Sequence, residues 1–390
     1  KSQSATFYPS GDLMWYNQNG NLHLVYRFDV QASSPSAFFR IYVDANNGNI
    51  LSNLPMESNC DPTTFTSIFN GTRTISTTQI SPTEWRSYDQ CFFDEIFIYD
   101  WNSSTCTNAA VDVTSSDNTW TTMNQRFAAS VLFNTREASN YWYYIQGRNA
   151  YDDAFGDLNG YINAVFDGSS SPGCQAYTDN ASMSFIGGTM KVGLGSGGTL
   201  DNSWSTIDIL GHEYTHAVTG SSAGLVYSYE SGALNDSFSD IFGEATERYT
   251  LGSNDWLMGD ERTDGAIRSM SNPNTYGQPD TYLGTYWYTG SDDNGGVHYN
   301  SGVQNFWFYL LSNGGTGTND NGDSYAVVGL TMSTAENIAA QTLQFYLGAT
   351  DEYADARDKS IQAAIDIYGA CSNEVRQVTN AWHAVGVGDA

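Results

Sequence analysis

The chain has 390 residues, of which 40% are hydrophobic and 14% aromatic, with 43 Asp and Glu against 15 Lys and Arg and a formal net charge of −28. That apolar content excludes a disordered chain, and no run of about 18 apolar residues exists that would cross a membrane as a helix. So negative a surface repels phosphate backbones, which argues against nucleic acid as a partner and for hard cations held by carboxylates, calcium above all.

This length predicts two or three domains. Residues 1–58 alternate in the manner of strands. The runs Leu22–Phe28 and Phe38–Val43 are β-rich, and Asn46-Asn47-Gly48-Asn49 supplies a tight turn between Val43 and Ile50. Ser52 to Pro62 carries two prolines and reads as a linker. From 63 to about 170, short strands surround a helical stretch from Gln125 to Gly147, with Phe127, Val131, Leu132, Ala138, Tyr141 and Tyr144 near helical spacing. Residues 168–205 are rich in Gly and Ser and read as loops and edge strands. Helical patterns dominate from Thr206 onward, including Ala335–Leu347 and Ala356–Tyr368. The Gly-rich stretches 290–302 and 313–322 read as connections.

The five cysteines are Cys60, Cys91, Cys106, Cys174 and Cys371. None forms a CxxC pair, so neither a thiolate zinc site nor a redox dithiol is expected. Cys91 and Cys106 are close enough in sequence to staple a hairpin. Sparse cysteines in a Ser/Thr/Asn/Gly-rich chain point to a secreted, extracellular protein. The opening Lys1-Ser2-Gln3-Ser4 reads as an internal cut of a longer precursor.

The strongest chemical signal is His212-Glu213-Tyr214-Thr215-His216, an HExxH. With five His and twelve Glu in the chain, a chance match is expected only about 0.002 times. Two His four apart share a helical face, so both imidazoles reach one zinc. Glu213, beside the first ligand, is placed to take a proton from metal-activated water. A third ligand is required, with one position left open. The following helical segment, Glu230–Gly243, offers Asp236 and Asp240 on one face. One binds the metal, and the other orients a ligand histidine from behind.

With these residues in view, the chain resembles the thermolysin family of zinc metallopeptidases. The resemblance covers residues 63–390 and rests on ordered blocks: His212–His216, Glu230–Gly243, Ile267–Pro273 and Asp293–Gly302. It implies an α+β fold with two lobes. A β-rich N-terminal lobe (59–220) includes the active-site helix, and a mainly helical C-terminal lobe (221–390) follows. It implies zinc on His212, His216 and Asp236, with Asp240 and Asn235 orienting the histidines. It makes Glu213 the general base. Tyr227 and His298 then hydrogen-bond the oxyanion, and Asp293 orients His298. Arg268 binds a substrate carbonyl, and Asn180 with Ala181 aligns the substrate backbone. Ile209, Met258 and Ile267 fall where the family builds an apolar pocket for the residue after the cut, which implies an endopeptidase that cleaves before bulky hydrophobic residues. The family usually carries Glu where this chain has Asp236. Asp is shorter by about 1.5 Å of reach, so either the second helix sits closer or the metal site is weaker.

The resemblance also implies calcium. Asp208, Glu247, Asp255 and Asp260 match the family's site beside the active-site helix, with Ser253 and Leu257 offering backbone carbonyls. Residues 1–58, through Arg40–Leu51, resemble the PepSY part of the family's propeptide. The chain's own propeptide is therefore an expected partner, beside peptide substrates, in an otherwise monomeric protein. Cys60, at the junction, is either a thiolate able to cap zinc or a half of a disulfide with Cys371 or Cys174. Two other classes fit the aromatic, acidic composition: a catalytically impaired zinc-bearing adhesion protein and a carbohydrate-binding module. Neither explains the ordered blocks around the histidines.

Overall fold

The computed structural model describes residues 11–18, 21–33, 36–56, 60–92, 94–101, 110–166, 178–184 and 186–389. Asp12–Gln18, Asn21–Ser33, Ser36–Asp44 and Ile50–Met56 form an antiparallel sheet in chain order. The Asn-rich turn forms as expected: Val43 pairs with Ile50, and Gly48 takes a φ of 75°, a left-handed conformation that costs little without a Cβ. The linker expected from Ser52 to Pro62 is instead partly strand. Ile50–Met56 contains Pro55 and the next strand, Asp61–Thr66, contains Pro62. Both lie at sheet edges, where a missing N–H breaks no ladder.

Asp61–Thr66 then pairs with Thr72–Ser81, which continues to Glu84–Arg86 and Thr114–Ser115. A mixed sheet follows, in the order Val111–Asp112, Ile96–Asp100, Leu158–Ile162, Thr189–Val192, Ala181–Ser184, with Tyr88–Asp89 also on Ile96–Asp100. Ala181–Ser184 runs antiparallel to Thr189–Val192 and ends the sheet. Among the described residues no strand pairs with its other edge, the requirement for adding an extended peptide. Helix α1 (Met123–Tyr144) starts at a capping box between Thr122 and Gln125. It buries Phe127, Val131, Leu132, Ala138 and Tyr141 between the sheet and the helices that follow, with the Tyr141 ring against Phe242 and Tyr249, while Tyr144 faces out.

The rest is mainly helical, with α2 (Ile207–Ser221), α3 (Tyr229–Leu251), α4 (Asp293–Asn300), α5 (Gly302–Asn313), α6 (Met332–Gln341), α7 (Tyr353–Tyr368) and α8 (Asn373–Ala384), beside two short strand pairs, Leu257–Met258 with Arg268–Ser269 and Gly315–Thr318 with Ser324–Val327. The helix expected at Ala335–Leu347 divides, because α6 ends in a wider π turn over Thr342–Tyr346. In the expected connection at 290–302, residues 293–296 form a left-handed turn with positive φ at all four, and the helical backbone of α4 begins only after it. Its glycines serve contact rather than looseness: a Cβ on Gly295 would meet the Tyr229 ring.

Cys60 is bonded to Cys91, with their Cα atoms 5.5 Å apart. This corrects both expected pairings, since Cys60 joins neither Cys371 nor Cys174 and Cys91 does not join Cys106. It also removes the thiolate that would cap zinc. The bond links the edge strand Asp61–Thr66 to the segment after Tyr88–Asp89, a contact between distant segments that sequence spacing does not reveal. Cys371 is free and exposed; Cys106 and Cys174 lie outside the described residues.

Helices α2 and α3 pack most closely where both carry glycine. A Cβ on Gly211 would sit 3.0 Å from Gly243 Cα, and one on Gly243 would sit 2.5 Å from the Asp208 carbonyl oxygen. Backbone touches backbone here, which answers the reach problem of a short third ligand. Gly243→Ala is expected to force α3 off α2 and to cost about 1–3 kcal/mol, read by chemical denaturation. Stability within about 0.5 kcal/mol of the parent would contradict the close-contact account.

Candidate active site

Helix α2 carries His212 and His216 on one face, with their Nε2 atoms 3.0 Å apart. Each ring is held from behind through Nδ1. His212 meets Asp240 Oδ1 at 2.7 Å, and His216 meets Asn235 Oδ1 at 2.8 Å. The Asn235 amide nitrogen donates to the Leu225 carbonyl at 3.0 Å, so its oxygen is the atom that faces His216. With Nδ1 donating, both Nε2 atoms present lone pairs to the same point.

Asp236, on α3, faces that point. Its Oδ1 lies 3.6 Å from His212 Nε2 and 3.8 Å from His216 Nε2. Its Oδ2 is buried without a hydrogen-bond partner. Asp240 is committed elsewhere: Arg268 donates to both its oxygens at 2.9 and 2.7 Å, and Asn305 adds a bond at 2.8 Å. Of the two candidate carboxylates, Asp236 is therefore the one facing the metal point and Asp240 the one behind His212. Burial alone would raise both carboxyls. The His298 and Arg268 cations hold Asp236 below its ordinary value, and Arg268 with His212 does the same for Asp240. Two imidazole nitrogens and an orphaned carboxylate oxygen, all buried, suit a zinc ion.

Around this point stand the other expected groups. Glu213 is 6% exposed, and burial pushes its carboxyl up to about 7, a suitable value for taking and returning a proton near neutrality. Tyr227 donates its hydroxyl to Asp236 Oδ1 at 3.0 Å and stands 3.0 Å from His298 Nε2. His298 meets Asp293 Oδ1 through Nδ1 at 2.6 Å, while its backbone N–H donates to Asp293 Oδ2 at 2.9 Å. Asp293 thus grips both ring and backbone. The Asp236 charge, helped by Asp293, raises the His298 imidazole to about 9.

His212, Glu213, His216, Tyr227 and His298 line a cleft of about 620 Å³, together with Asn180, Ala181, Ile209, Ile267 and Arg268. Ala181 opens the edge strand, and Asn180 holds the adjoining turn by accepting from Gly193 N at 2.9 Å. Met258 is placed differently from the expectation. It is fully buried against Gly243, away from the cleft lining. Trp204 lines the cleft and was missed; its signal was a lone aromatic between Ser203 and Ser205, just before α2.

The family model described as "Thermolysin metallopeptidase, catalytic domain" matches residues 63–220, and "Thermolysin metallopeptidase, alpha-helical domain" matches 223–387. The chain belongs to the thermolysin metallopeptidase family. It is 33% identical over 401 residues to the thermostable neutral protease NprT of Geobacillus stearothermophilus, covering 96% of this chain and 68% of that protein. It is 39% identical over 260 residues to a bacillolysin of Bacillus caldolyticus, covering 64% of this chain and 43% of that one; the match thus spans less than half of that relative. The precursor of protealysin, a metalloproteinase from Serratia proteamaculans, superposes with a TM-score of 0.60 at 25% identity, over 75% of this chain and 87% of that one.

This thermolysin-like chain has a second carboxylate cluster at the N-terminal end of α2. Oxygens of Glu244, Glu247 and Asp255 lie within 4.8 Å of one another. Asp208 is buried beside them, with its Oδ2 accepting from Gly259 N. Asp208 Oδ1, Glu244 Oε1 and Glu247 Oε2 are buried without partners. Asp260 neighbours Asp255, while Ser253 and Leu257 flank Asp255 in the same loop. Glu244 is the member that sequence reading missed. It is fixed by Asn254 Nδ2 at 2.8 Å and Trp256 N at 2.9 Å. So many orphaned acidic oxygens fit a hard cation such as calcium.

Burial, followed by mutual repulsion, pushes Glu247 up to about 9; burial also raises Asp255 to about 6, Asp208 above its ordinary value, and Glu244 well above. Without a cation, the folded state keeps protons that the unfolded chain releases from about pH 4. Ionising these groups opposes folding, so stability is highest at acid pH and is lost as pH rises toward the folded values. The melting temperature of calcium-free, zinc-loaded protein is expected to fall from about pH 5 to about pH 8, and calcium is expected to restore it. A flat or rising calcium-free profile would contradict this.

Proposed function

We propose that this thermolysin-family chain is a secreted zinc endopeptidase that cuts peptide bonds before bulky apolar residues. Residues 1–58 act as its propeptide segment, and 59–220 and 221–390 as the two catalytic lobes. One observation carries the reading: His212, His216 and Asp236 converge on a point in the cleft that Glu213, Tyr227 and His298 also face. A zinc ion held by those three would acidify water and polarise a carbonyl.

The chain's own residues supply the rest. A peptide lies along the free edge of Ala181–Ser184, with Asn180 and Ala181 fixing its backbone. Glu213 takes a proton from the attacking water on its carboxylate and returns it to the leaving amine nitrogen. Tyr227 and His298 donate hydrogen bonds to the carbonyl oxygen as it becomes negative, and Asp293 keeps the imidazole aimed. Arg268, anchored on Asp240, lies at the cleft to meet a substrate carbonyl. Ile209 and Ile267 give the cleft apolar surface for the residue after the cut.

Calcium is proposed on Asp208, Glu244, Glu247 and Asp255, with Asp260 beside them and backbone carbonyls of Ser253 and Leu257 as further oxygens. The disulfide supports an oxidising, extracellular setting. Among the described residues no helix is long and apolar enough to cross a membrane. We propose a monomer whose partners are peptide substrates and its own propeptide, with neither nucleic acid nor membrane involved.

Glu213→Gln is expected to lower kcat on casein-derived peptides about 10²–10⁴-fold while leaving zinc content unchanged; activity within about twofold of the parent would exclude the role. Propeptide removal has its own readout. A cut before Cys60 frees the N-terminal segment outright, whereas a cut between Cys60 and Pro62 leaves it tethered to Cys91. Active enzyme is expected to resolve as a shortened chain on a reducing gel, and the non-reducing gel tells the two cuts apart. Full activity in an uncut chain would contradict the propeptide assignment.

A further inference from the structure

One aromatic residue of the cleft, Trp204, is accounted for by neither the histidine motif nor the carboxylate cluster. Trp204 lies between the turn Leu200–Asn202 and α2, and its ring lines the same cleft as Ile209 and Ile267. Three separate segments hold it. Its backbone N–H donates to the Gly193 carbonyl at 3.0 Å. Its indole Nε1–H donates to Asp179 Oδ1 at 2.8 Å. The Arg262 guanidinium stacks on the ring at 4.1 Å from its centroid and donates to the same Asp179 oxygen at 3.1 Å.

The arrangement settles what the indole can do. Its only polar atom is satisfied by Asp179. Arg262, with a side chain 2% exposed, covers the ring with a charge that Asp179 balances. What the ring contributes to the cleft is a flat apolar surface in a fixed rotamer. A partner stacking on it meets no unpaired polar group and freezes no further torsion. Aromatic side chains gain from such a contact beyond the area they bury, and aliphatic ones do not.

We infer that Trp204 is a specificity-determining residue: its indole receives an aromatic side chain of the substrate in the apolar part of the cleft shared with Ile209 and Ile267, so that Phe is favoured over Leu after the cut. This rests on the endopeptidase reading above. Asp179 and Arg262 are positioning residues that act through the ring.

The test uses two quenched fluorescent peptides that differ only in Phe or Leu after the scissile bond. Trp204→Leu and Trp204→Phe both keep the wall filled, so both are expected to fold. In Trp204→Leu the Phe:Leu ratio of kcat/KM is expected to fall about fivefold, with the Leu peptide still cleaved. In Trp204→Phe the ratio is expected to stay near the parent value. An unchanged ratio in Trp204→Leu, or equal losses on both peptides or in both variants, overturns the inference. Parent enzyme that cleaves elsewhere in both peptides, or in neither, instead sinks the endopeptidase reading beneath it.

Discussion

Helices α2 and α3 meet backbone to backbone at Gly211 and Gly243, and the chemistry of the cleft depends on that contact. Zinc ligands must converge within about 2 Å of one point. An aspartate on α3 has a short stem, so reach must come from the helix itself. The glycine contact supplies it and leaves Asp236 Oδ1 at similar distances from both imidazole Nε2 atoms. The same contact brings Asp208 on α2 beside Glu244 and Glu247 on α3. One packing decision therefore builds both carboxylate sites, since Asp208 lies one turn from His212 on α2 and Glu244 one turn from Asp240 on α3.

Charge balance divides those sites. Near the histidines, the buried carboxylates have cationic neighbours: Arg268 grips Asp240, and His298 stands 3.7 Å from Asp236. Breaking such a buried pair leaves a bare charge at a cost of several kcal/mol, about 3–5. At the N-terminal end of α2, no cationic side chain forms an ion pair with Glu244, Glu247 or Asp208 among the described residues, and their partnerless oxygens remain. The first site is organised before any metal enters. The second is a set of repelling acids that a cation would turn into a brace for the helix pair.

Much of this was legible in the sequence because the signals are periodic. His212 and His216 share a face by spacing alone, and Asn235, Asp236 and Asp240 sit on one helix at positions that spacing also fixes. Spacing did not say which aspartate faces the metal. That choice is made by Arg268 and Asn305, which arrive from other segments and occupy Asp240. Glu244, one turn before Glu247, was hidden in the same way, since its partners Asn254 and Trp256 lie beyond the end of α3. The Cys60–Cys91 bond joins segments that only the fold brings together. Gly295 and Gly296 read as a connection and do form a left-handed turn, but spacing did not show that the Tyr229 and Tyr288 rings close on it. Met258 shows the converse error: an apolar residue at a pocket-like position was taken into the core by the space that Gly243 leaves open.

The central claim is that two imidazoles and the short Asp236 carboxylate hold one zinc, and zinc-edge X-ray absorption of the purified protein with metal content tests it most directly. One zinc per chain is expected, bound by two imidazole nitrogens and a carboxylate oxygen, with loss of that signal in Asp236→Ala. Full zinc occupancy with an unchanged spectrum in Asp236→Ala would contradict it.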